Sequence, residues 1–299
     1  MTTAGLPLTK SLPLPLIDHA VVNVGVRMAE AAEQYGRLGF TLTPLGRHTL
    51  GSINHLAMFG HDYIEILGIP GGGNGRADVI ADAEGLAAIA FATEDADHVH
   101  AALAGAGVPV EEPLAFARPV ALPEGICDAR FRVTRLAADA TPAGRLFFCA
   151  HQTRNMVWRD EWRRHANGAL GVRSVVIAAA RPETPAALFA RMFGAEAVVD
   201  IPGGKRLTAG LANIDILAPE AVARRYGAAP LPSGGREATM VAIVLRTASL
   251  ALTATAVRSG GIEDAEISAA RVLVPARAAI TNARLSSLKM KLLSPSNAS

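Results

Sequence analysis

Cysteine is scarce in this sequence. Only Cys127 and Cys149 occur among the 299 residues, and no CxxC pair is present. Two cysteines without that spacing are too few for a scaffold built on disulfides. We therefore expect reduced thiols, and from them a cytoplasmic location.

Long apolar runs and blocks of one charge are also missing. No segment reaches the roughly 18–20 apolar residues of a transmembrane helix. Prolines interrupt the apolar residues 6–16, so residues 1–16 are interpreted as an extended N-terminal arm rather than a signal peptide. The net charge is only +2, aromatic residues make up 5%, and no Lys/Arg cluster alternates with aromatics. We expect no membrane and no nucleic-acid partner.

Apolar residues, in contrast, are abundant. They make up 50% of the chain, mostly as Ala and Val, which is typical of a folded protein that contains sheets. A chain of 299 residues is long for one domain and comfortable for two. We expect two hydrophobic cores packed mainly with aliphatic side chains.

The pattern of predicted elements repeats in the order strand, helix, strand, strand, strand. Alternating apolar residues predict strands, whereas helix formers that end before glycine predict helices. The first copy comprises residues 17–24, 28–38, 40–43, 53–59 and 62–69, and the second comprises residues 85–93, 95–106, 108–112, 129–135 and 144–149. The third comprises residues 173–178, 182–192, 197–201, 205–208 and 213–217, and the fourth begins with residues 239–245, 249–260 and 271–275 and closes, if complete, with residues 280–288.

Four copies of one βαβββ unit predict two domains of two units each. We place the first domain at residues 17–152, a connector with both tryptophans at 153–168, and a degenerate second domain at 169–299. One such unit has a polar and an apolar sheet face, so two curved units side by side would enclose a cleft.

Two side chains of the first copy could bind a metal ion in that cleft. His19 lies on its first strand and Glu65 on its last. Imidazole nitrogen and carboxylate oxygen together suit Zn²⁺, Fe²⁺, Mn²⁺ or Ni²⁺. Two ligands do not complete such a site, and the sequence leaves His151 and His55 open as the third.

Several short segments resemble the vicinal oxygen chelate superfamily, in particular its glyoxalase-like branch. They are IDHAVV at residues 17–22, GRH and GSIN within residues 46–54, YIEIL at residues 63–67, and FFCAH at residues 147–151. The resemblance implies an α+β fold of tandem βαβββ modules, the glyoxalase/bleomycin-resistance/dihydroxybiphenyl-dioxygenase fold, with two such domains.

The resemblance also implies roles for individual residues. His19 and Glu65 match the two metal-ligand positions of a first module, and Glu65 could also act as the catalytic base. The matching positions of the second module are Ala88 and Phe147 or Phe148, which cannot bind a metal. His151 is the first candidate to complete the metal site. The residues expected to contact substrate are Arg47, His48, Asn54 and His55.

In the second domain, Ser174 and Asp215 occupy the positions that match His19 and Glu65. We therefore expect this domain to be free of metal, and to serve a structural role or form a homodimer.

The function expected from the resemblance is that of a glyoxalase-like, metal-dependent lyase or isomerase. Its substrate would be a small oxygenated metabolite, and its cofactor a divalent metal ion. One alternative is a metal-independent protein of the same fold that binds or sequesters a small molecule. The other is an extradiol-type dioxygenase, which needs two histidines and one carboxylate on its metal.

Overall fold

The computed structural model describes residues 12, 14–71, 76, 79, 84–123, 125–227, 237–275 and 289–293. They form two mixed sheets of eight strands each, with one helix following the first strand of each module. The α+β architecture of tandem βαβββ modules in two domains is therefore confirmed.

The first sheet contains two modules. Strands β1 and β5 pair antiparallel at its centre, while β4 runs parallel to β1 and β8 runs parallel to β5. The strand order is β2-β3-β4-β1-β5-β8-β7-β6. The elements are β1 (Ile17–Asn23), α1 (Met28–Arg37), β2 (Gly46–Arg47), β3 (Ile53–Met58), β4 (Tyr63–Gly68), β5 (Gly85–Ala92), α2 (Ala96–Gly105), β6 (Leu114–Leu122), β7 (Gly125–Arg135) and β8 (Arg145–His151).

The second sheet repeats this arrangement in the order β10-β11-β12-β9-β13-β16-β15-β14. One further helix, α4, follows its third module. The elements are β9 (Ala169–Ala179), α3 (Glu183–Phe193), β10 (Val198–Ile201), β11 (Gly204–Ala209), β12 (Ala212–Leu217), α4 (Pro219–Tyr226), β13 (Ala238–Thr247), α5 (Leu250–Ser259), β14 (Glu266–Ile267), β15 (Val272–Val274) and β16 (Lys289–Leu293).

The helices cover the outer sheet faces with apolar stripes. In α1 the buried residues are Met28, Ala31 and Tyr35, a spacing that places all three on one side of a helix. Apolar residues of both sheets join in a common core, where the ring of Phe91 contacts Phe189 and Phe193 at centroid distances of 6.4 and 5.1 Å. None of the helices in the described ranges is long and apolar enough to cross a membrane.

Two strands predicted from the sequence are wrong. Residues 40–43 form no strand, and β2 lies instead at Gly46–Arg47; residues 108–112 contribute only an isolated bridge, and the strand is β6 at Leu114–Leu122. Pro119 obscured β6 because proline cannot donate a ladder hydrogen bond. It is accommodated because β6 is the last strand of the sheet, where one side needs no partner.

The fourth module has a closing strand directly after the residues predicted to form it. Residues 280–288 lie outside the described residues, and the closing strand is β16 at Lys289–Leu293, parallel to β13. The first sheet spans Ile17 to His151 and the second Ala169 to Leu293. The exact domain boundaries given above stay predictions.

Candidate functional site

A bulge at the start of β1 brings two polar side chains together. Successive residues of a regular strand point to opposite faces, but the pairing of β1 with β5 changes register between Ile17 and His19, as it does at a β-bulge. Asp18 and His19 therefore meet, and His19 Nδ1 donates to Asp18 Oδ2 at 2.7 Å. Both residues are buried.

The other nitrogen of His19 faces Glu65. The register of β1 and β4 sets Val21 beside Glu65, and His19 Nε2 lies 3.5 Å from Glu65 Oε2. Burial alone would lower the pKa of His19, but its hydrogen bonds with the two carboxylates raise that pKa to about 9. Burial alone would raise the pKa of Glu65, but the hydrogen bond and charge of His19 lower it to about 2. An imidazolium between two carboxylates is thus the stable charge state of this array when no cation is bound.

Glu65 is held from its other side by Asn54 of β3. The Asn54 amide Nδ2 donates to Glu65 Oε1 at 2.7 Å and to His48 Nε2 at 3.1 Å. His48 Nε2 also lies 3.9 Å from Glu65 Oε1, and His48 Nδ1 is 2.8 Å from Ser52 Oγ. Burial lowers the pKa of His48 to about 4, although the charge of Glu65 opposes that shift. His48 is therefore neutral near pH 7.

Arg118 of β6 extends the network to the edge strand. Its Nη1 donates to Asn54 Oδ1 at 3.2 Å, and the residue is only 2% exposed. Sequence reasoning missed Arg118 because the strand that carries it was not predicted. Asp18 was missed as well, because regular strand alternation would point it away from His19.

A second cluster lies on the other side of Asp18. His151 Nε2 donates to Asp18 Oδ2 at 3.0 Å, and Cys149 lies two residues earlier on the same face of β8. Asp18, Cys149 and His151 offer ligand atoms within 4.8 Å of one another, the one such group among the described residues. Burial raises the pKa of Cys149 well above its usual value, so its thiol stays protonated unless a metal displaces the proton.

The second-module positions that match His19 and Glu65 are apolar. Ala88 of β5 pairs with Val21, and Phe147 of β8 pairs with Ala90, so Phe147 rather than Phe148 matches Glu65. The ring of Phe147 meets the His19 ring edge to face at a centroid distance of 5.4 Å. A hydrocarbon surface thus faces His19 where the family pattern would place a ligand.

A cavity of about 140 Å³ is lined by His19 and Glu65, but not by Asp18 or His151. Its polar end is formed by His19, Glu65, Asn54, His48 and Arg118. Most of the remaining wall is apolar, although Arg76, Glu111, Arg135 and Arg145 also line it. The cavity therefore suits a small molecule with an apolar body and a polar group. The residues that form this wall include Val21, Leu56, Leu67, Ala88, Phe116, Phe131, Val133, Leu146 and Phe147.

The other residues predicted to bind substrate lie elsewhere. Arg47 is exposed, and His55 donates its Nδ1 proton to the carbonyl oxygen of Thr43 at 2.7 Å. Neither lines the cavity, because β3 alternates and His55 points away from the face that carries Asn54. Their substrate-binding roles, and the metal-binding role of His151, stay predictions.

The matching carboxylate of the second sheet has a partner within the chain. Asp215 accepts two hydrogen bonds from Arg206, from Nε at 2.6 Å and from Nη2 at 3.0 Å. Arg206 lies directly opposite Asp215 on β11, whereas Leu56 lies opposite Glu65 on β3. In the second sheet the Asp215 carboxylate is therefore paired with Arg206, whereas in the first sheet Glu65 faces a cavity.

Comparisons with known proteins agree with this architecture. A family model described as "Glyoxalase-like domain" matches residues 17–193, and no curated protein matches the sequence. A hypothetical protein from Staphylococcus aureus superposes with a TM-score of 0.62 at 11% identity, over 93% of this chain and 98% of that one.

Two further solved structures share the fold. A mutant of 4-hydroxymandelate synthase from Streptomyces coelicolor gives a TM-score of 0.56 at 11% identity, over 95% of this chain and 93% of that one. A fusion protein of a xylose isomerase-like TIM barrel and a 4-hydroxyphenylpyruvate dioxygenase gives 0.52 at 11% identity, over 95% of this chain and 49% of that one. Identities this low establish the fold alone. The family match spans more than half of the chain, so this protein belongs to the glyoxalase-like domain family of the vicinal oxygen chelate superfamily.

Proposed function

We propose that this protein is a glyoxalase-like enzyme of the lyase or isomerase type, which acts on a small oxygenated metabolite in the cavity of the first sheet. The array of Asp18, His19 and Glu65 carries the proposal. Asp18 fixes the His19 ring through Nδ1, and His19 Nε2 lies 3.5 Å from a Glu65 oxygen at the polar end of the cavity.

Two residues of the array fit a divalent cation. Ligand atoms at the usual 2.0–2.2 Å from a tetrahedral metal lie about 3.4 Å apart, close to the 3.5 Å between His19 Nε2 and Glu65 Oε2. A hydrogen bond from the second nitrogen of a histidine to a carboxylate, as His19 makes with Asp18, is typical of metal ligands. Ala88 and Phe147 supply no donor, so a cation would leave several positions to water and substrate oxygens.

A third protein ligand is the open part of this proposal. His151, the first candidate from the sequence, contacts Asp18 and belongs to the neighbouring cluster with Cys149. His48 Nε2, 3.9 Å from Glu65 Oε1, is the nearer imidazole to the carboxylate. A bound cation, of Zn²⁺, Fe²⁺, Mn²⁺ or Ni²⁺ type, would supply Lewis-acid stabilisation of negative charge on a substrate oxygen.

The protein's own groups would handle the proton. Glu65 is held in place by Asn54 and faces the cavity, so it is positioned to accept a proton from a bound substrate. Asp18 keeps His19 oriented. The apolar wall excludes water, which strengthens the electrostatic interactions at the polar end.

A metal-independent binding protein is the second candidate. It is favoured by Ala88 and Phe147, which leave two ligand positions without a donor. An extradiol-type dioxygenase would need a second histidine beside His19 and Glu65, and His48 is the nearest to Glu65. A cytoplasmic location, from the scarcity of cysteine, and a homodimer belong to the proposal as well.

Metal content separates the two metal-dependent enzymes from the metal-independent binding protein. Protein purified without chelator should carry about one metal ion per chain, measured by plasma mass spectrometry. His19→Ala and Glu65→Gln should lose it, whereas Cys149→Ala should keep it. The matched control is His61→Ala, at an exposed histidine outside the cavity.

The opposite pattern would move the metal to the second cluster. If Cys149→Ala and His151→Gln lose the ion while Glu65→Gln keeps it, the cation belongs to Asp18, Cys149 and His151. Wild-type protein that carries no ion, and takes up none on titration with Zn²⁺, Mn²⁺, Fe²⁺ or Ni²⁺, would contradict the metalloenzyme and leave the binding protein.

A further inference from the structure

We infer that the ligand of the cavity is a monocarboxylate with a compact apolar body, whose carboxylate group binds to the guanidinium of Arg118. The inference rests on the proposed function, because it assigns a substrate class to the same cavity.

Arg118 is a buried cation that has no ion-pair partner among the described residues. The residue is 2% exposed and lines the cavity, and the described ion pairs do not include it. Its Nη1 donates to Asn54 Oδ1, but its Nε and Nη2 have no hydrogen-bond partner among the described residues. A guanidinium that is removed from water without an anion is costly unless a ligand supplies the missing charge.

The two unpartnered N–H groups form the edge that binds carboxylates. Nε and Nη2 lie side by side on a guanidinium and match the two oxygens of one carboxylate. Other arginines of this chain bind carboxylates through this edge. Arg206 binds Asp215 through Nε and Nη2, and Arg132 binds Asp97 through the same atoms at 2.7 and 2.6 Å.

The surroundings of Arg118 keep its side chain in place. The guanidinium lies against the backbone of Gly46 on β2, and a Cβ at that position would come within 2.3 Å of Arg118 Nη1. On the other side, Asn54 bridges Arg118 to Glu65 through its two amide ends. The carboxylate of a ligand would thus bind at the polar end of the cavity, beside Glu65.

Size and charge define the rest of the ligand. A cavity of about 140 Å³ with an apolar wall accommodates a body about as large as one aromatic ring. The wall includes Phe116, Phe131 and Val133. Glu65 places a negative charge beside Arg118, so a singly charged carboxylate would meet less repulsion at this point than a phosphate dianion.

The test compares an acid with its neutral isostere. Phenylacetate and phenylacetamide are titrated by calorimetry into protein that has been stripped of metal with chelator and dialysed. Removing metal matters because a cation at His19 and Glu65 could bind carboxylate by itself. Wild-type protein should bind phenylacetate at least about tenfold more tightly than phenylacetamide, as expected for charge-assisted hydrogen bonds.

Variants of Arg118 decide whether this preference has the inferred origin. Arg118→Gln should weaken phenylacetate binding about 10- to 100-fold and leave phenylacetamide binding nearly unchanged. Arg118→Lys keeps the positive charge but cannot donate two parallel hydrogen bonds to one carboxylate. Its affinity for phenylacetate should lie between those of wild type and Arg118→Gln. The matched control is Arg132→Gln, which removes a partly exposed arginine outside the cavity whose Nε and Nη2 already bind Asp97. This variant should bind like wild type.

Four results would overturn the inference. They are equal binding of acid and amide to wild type, no binding of phenylacetate at millimolar concentration, inorganic phosphate binding as tightly as phenylacetate, and wild-type affinity in Arg118→Gln. If Arg118→Gln does not fold, wild-type affinity in Arg118→Lys has the same meaning. The proposed function is tested separately. Protein that binds no metal ion would contradict the proposed metalloenzyme, but it could still prefer phenylacetate over phenylacetamide through Arg118.

Discussion

Replacement of Asp62 by asparagine should remove a pH dependence from the stability of this protein. Asp62 lies between β3 and β4, and its Oδ1 accepts a hydrogen bond from the backbone N–H of Val172 on β9 at 2.9 Å. Burial raises the pKa of Asp62 to about 7, although that hydrogen bond and the charge of Arg246 act against the shift. The contact joins the two sheets, so its protonation state bears on the whole fold.

The sign follows from proton binding in the two states. An unfolded aspartate loses its proton near pH 4, whereas folded Asp62 keeps it until about pH 7. Between these values the folded state binds one more proton, so the free energy of unfolding falls as pH rises. A span of roughly three pH units at about 1.4 kcal/mol each makes the loss about 4 kcal/mol. The loss is complete above about pH 7.

An asparagine side chain at this position would keep a carbonyl oxygen for Val172 and would not titrate. The free energy of unfolding of Asp62→Asn, relative to wild type, should therefore increase with pH between about 4 and 7 and then level off. Denaturant unfolding at several pH values from 4 to 8 measures this difference. Asp139→Asn, at an exposed aspartate, is the control. Parallel pH profiles for Asp62→Asn and wild type would refute the reasoning.

Two further substitutions test the site. Gly46→Ala places a methyl group against the Arg118 guanidinium, so it should lower the free energy of unfolding by about 1–3 kcal/mol and weaken phenylacetate binding in calorimetry. The control Gly36→Ala lies on an open helix surface and should be neutral or stabilising. Equal effects of the two substitutions would contradict the placement of Arg118 beside Gly46. Ala88→His places a metal-binding side chain at the second-module position that matches His19, and should tighten Zn²⁺ binding at least about tenfold in a competition titration. The control Ala121→His, at an exposed position, should not change Zn²⁺ affinity. Unchanged Zn²⁺ affinity in Ala88→His would argue against a cation at this end of the cavity.

The repeat and the His19–Glu65 pair could be read from the sequence because they depend on local patterns. Alternating apolar residues set β1 and β4, and a strand position largely fixes which face a side chain occupies. His48 and Asn54 were predicted to contact substrate because they lie next to these strands. The structure brings all four to one cavity.

The residues that the sequence did not reveal depend on the sheet as a whole. Asp18 joins His19 only because β1 changes register against β5, and a bulge of that kind leaves no clear mark in a single strand. Arg118 lies on an edge strand that contains Pro119, which lowers the strand signal. His151 was proposed from the sequence as a metal ligand, which stays a prediction; its contact with Asp18 could not be predicted before β1 and β8 were placed.

The two sheets show how the same position can become structural in one module and open to ligand in another. In the second sheet, Arg206 stands opposite Asp215 and supplies its counter-charge from within the chain. In the first sheet, Leu56 stands opposite Glu65, so the carboxylate turns instead to His19 and Asn54. Arg118, on the far side of Asn54, keeps its carboxylate-binding edge without a partner among the described residues. The fold thus neutralises Asp215 internally, whereas Arg118 is buried without an ion-pair partner among the described residues. We infer that a ligand balances the charge of Arg118.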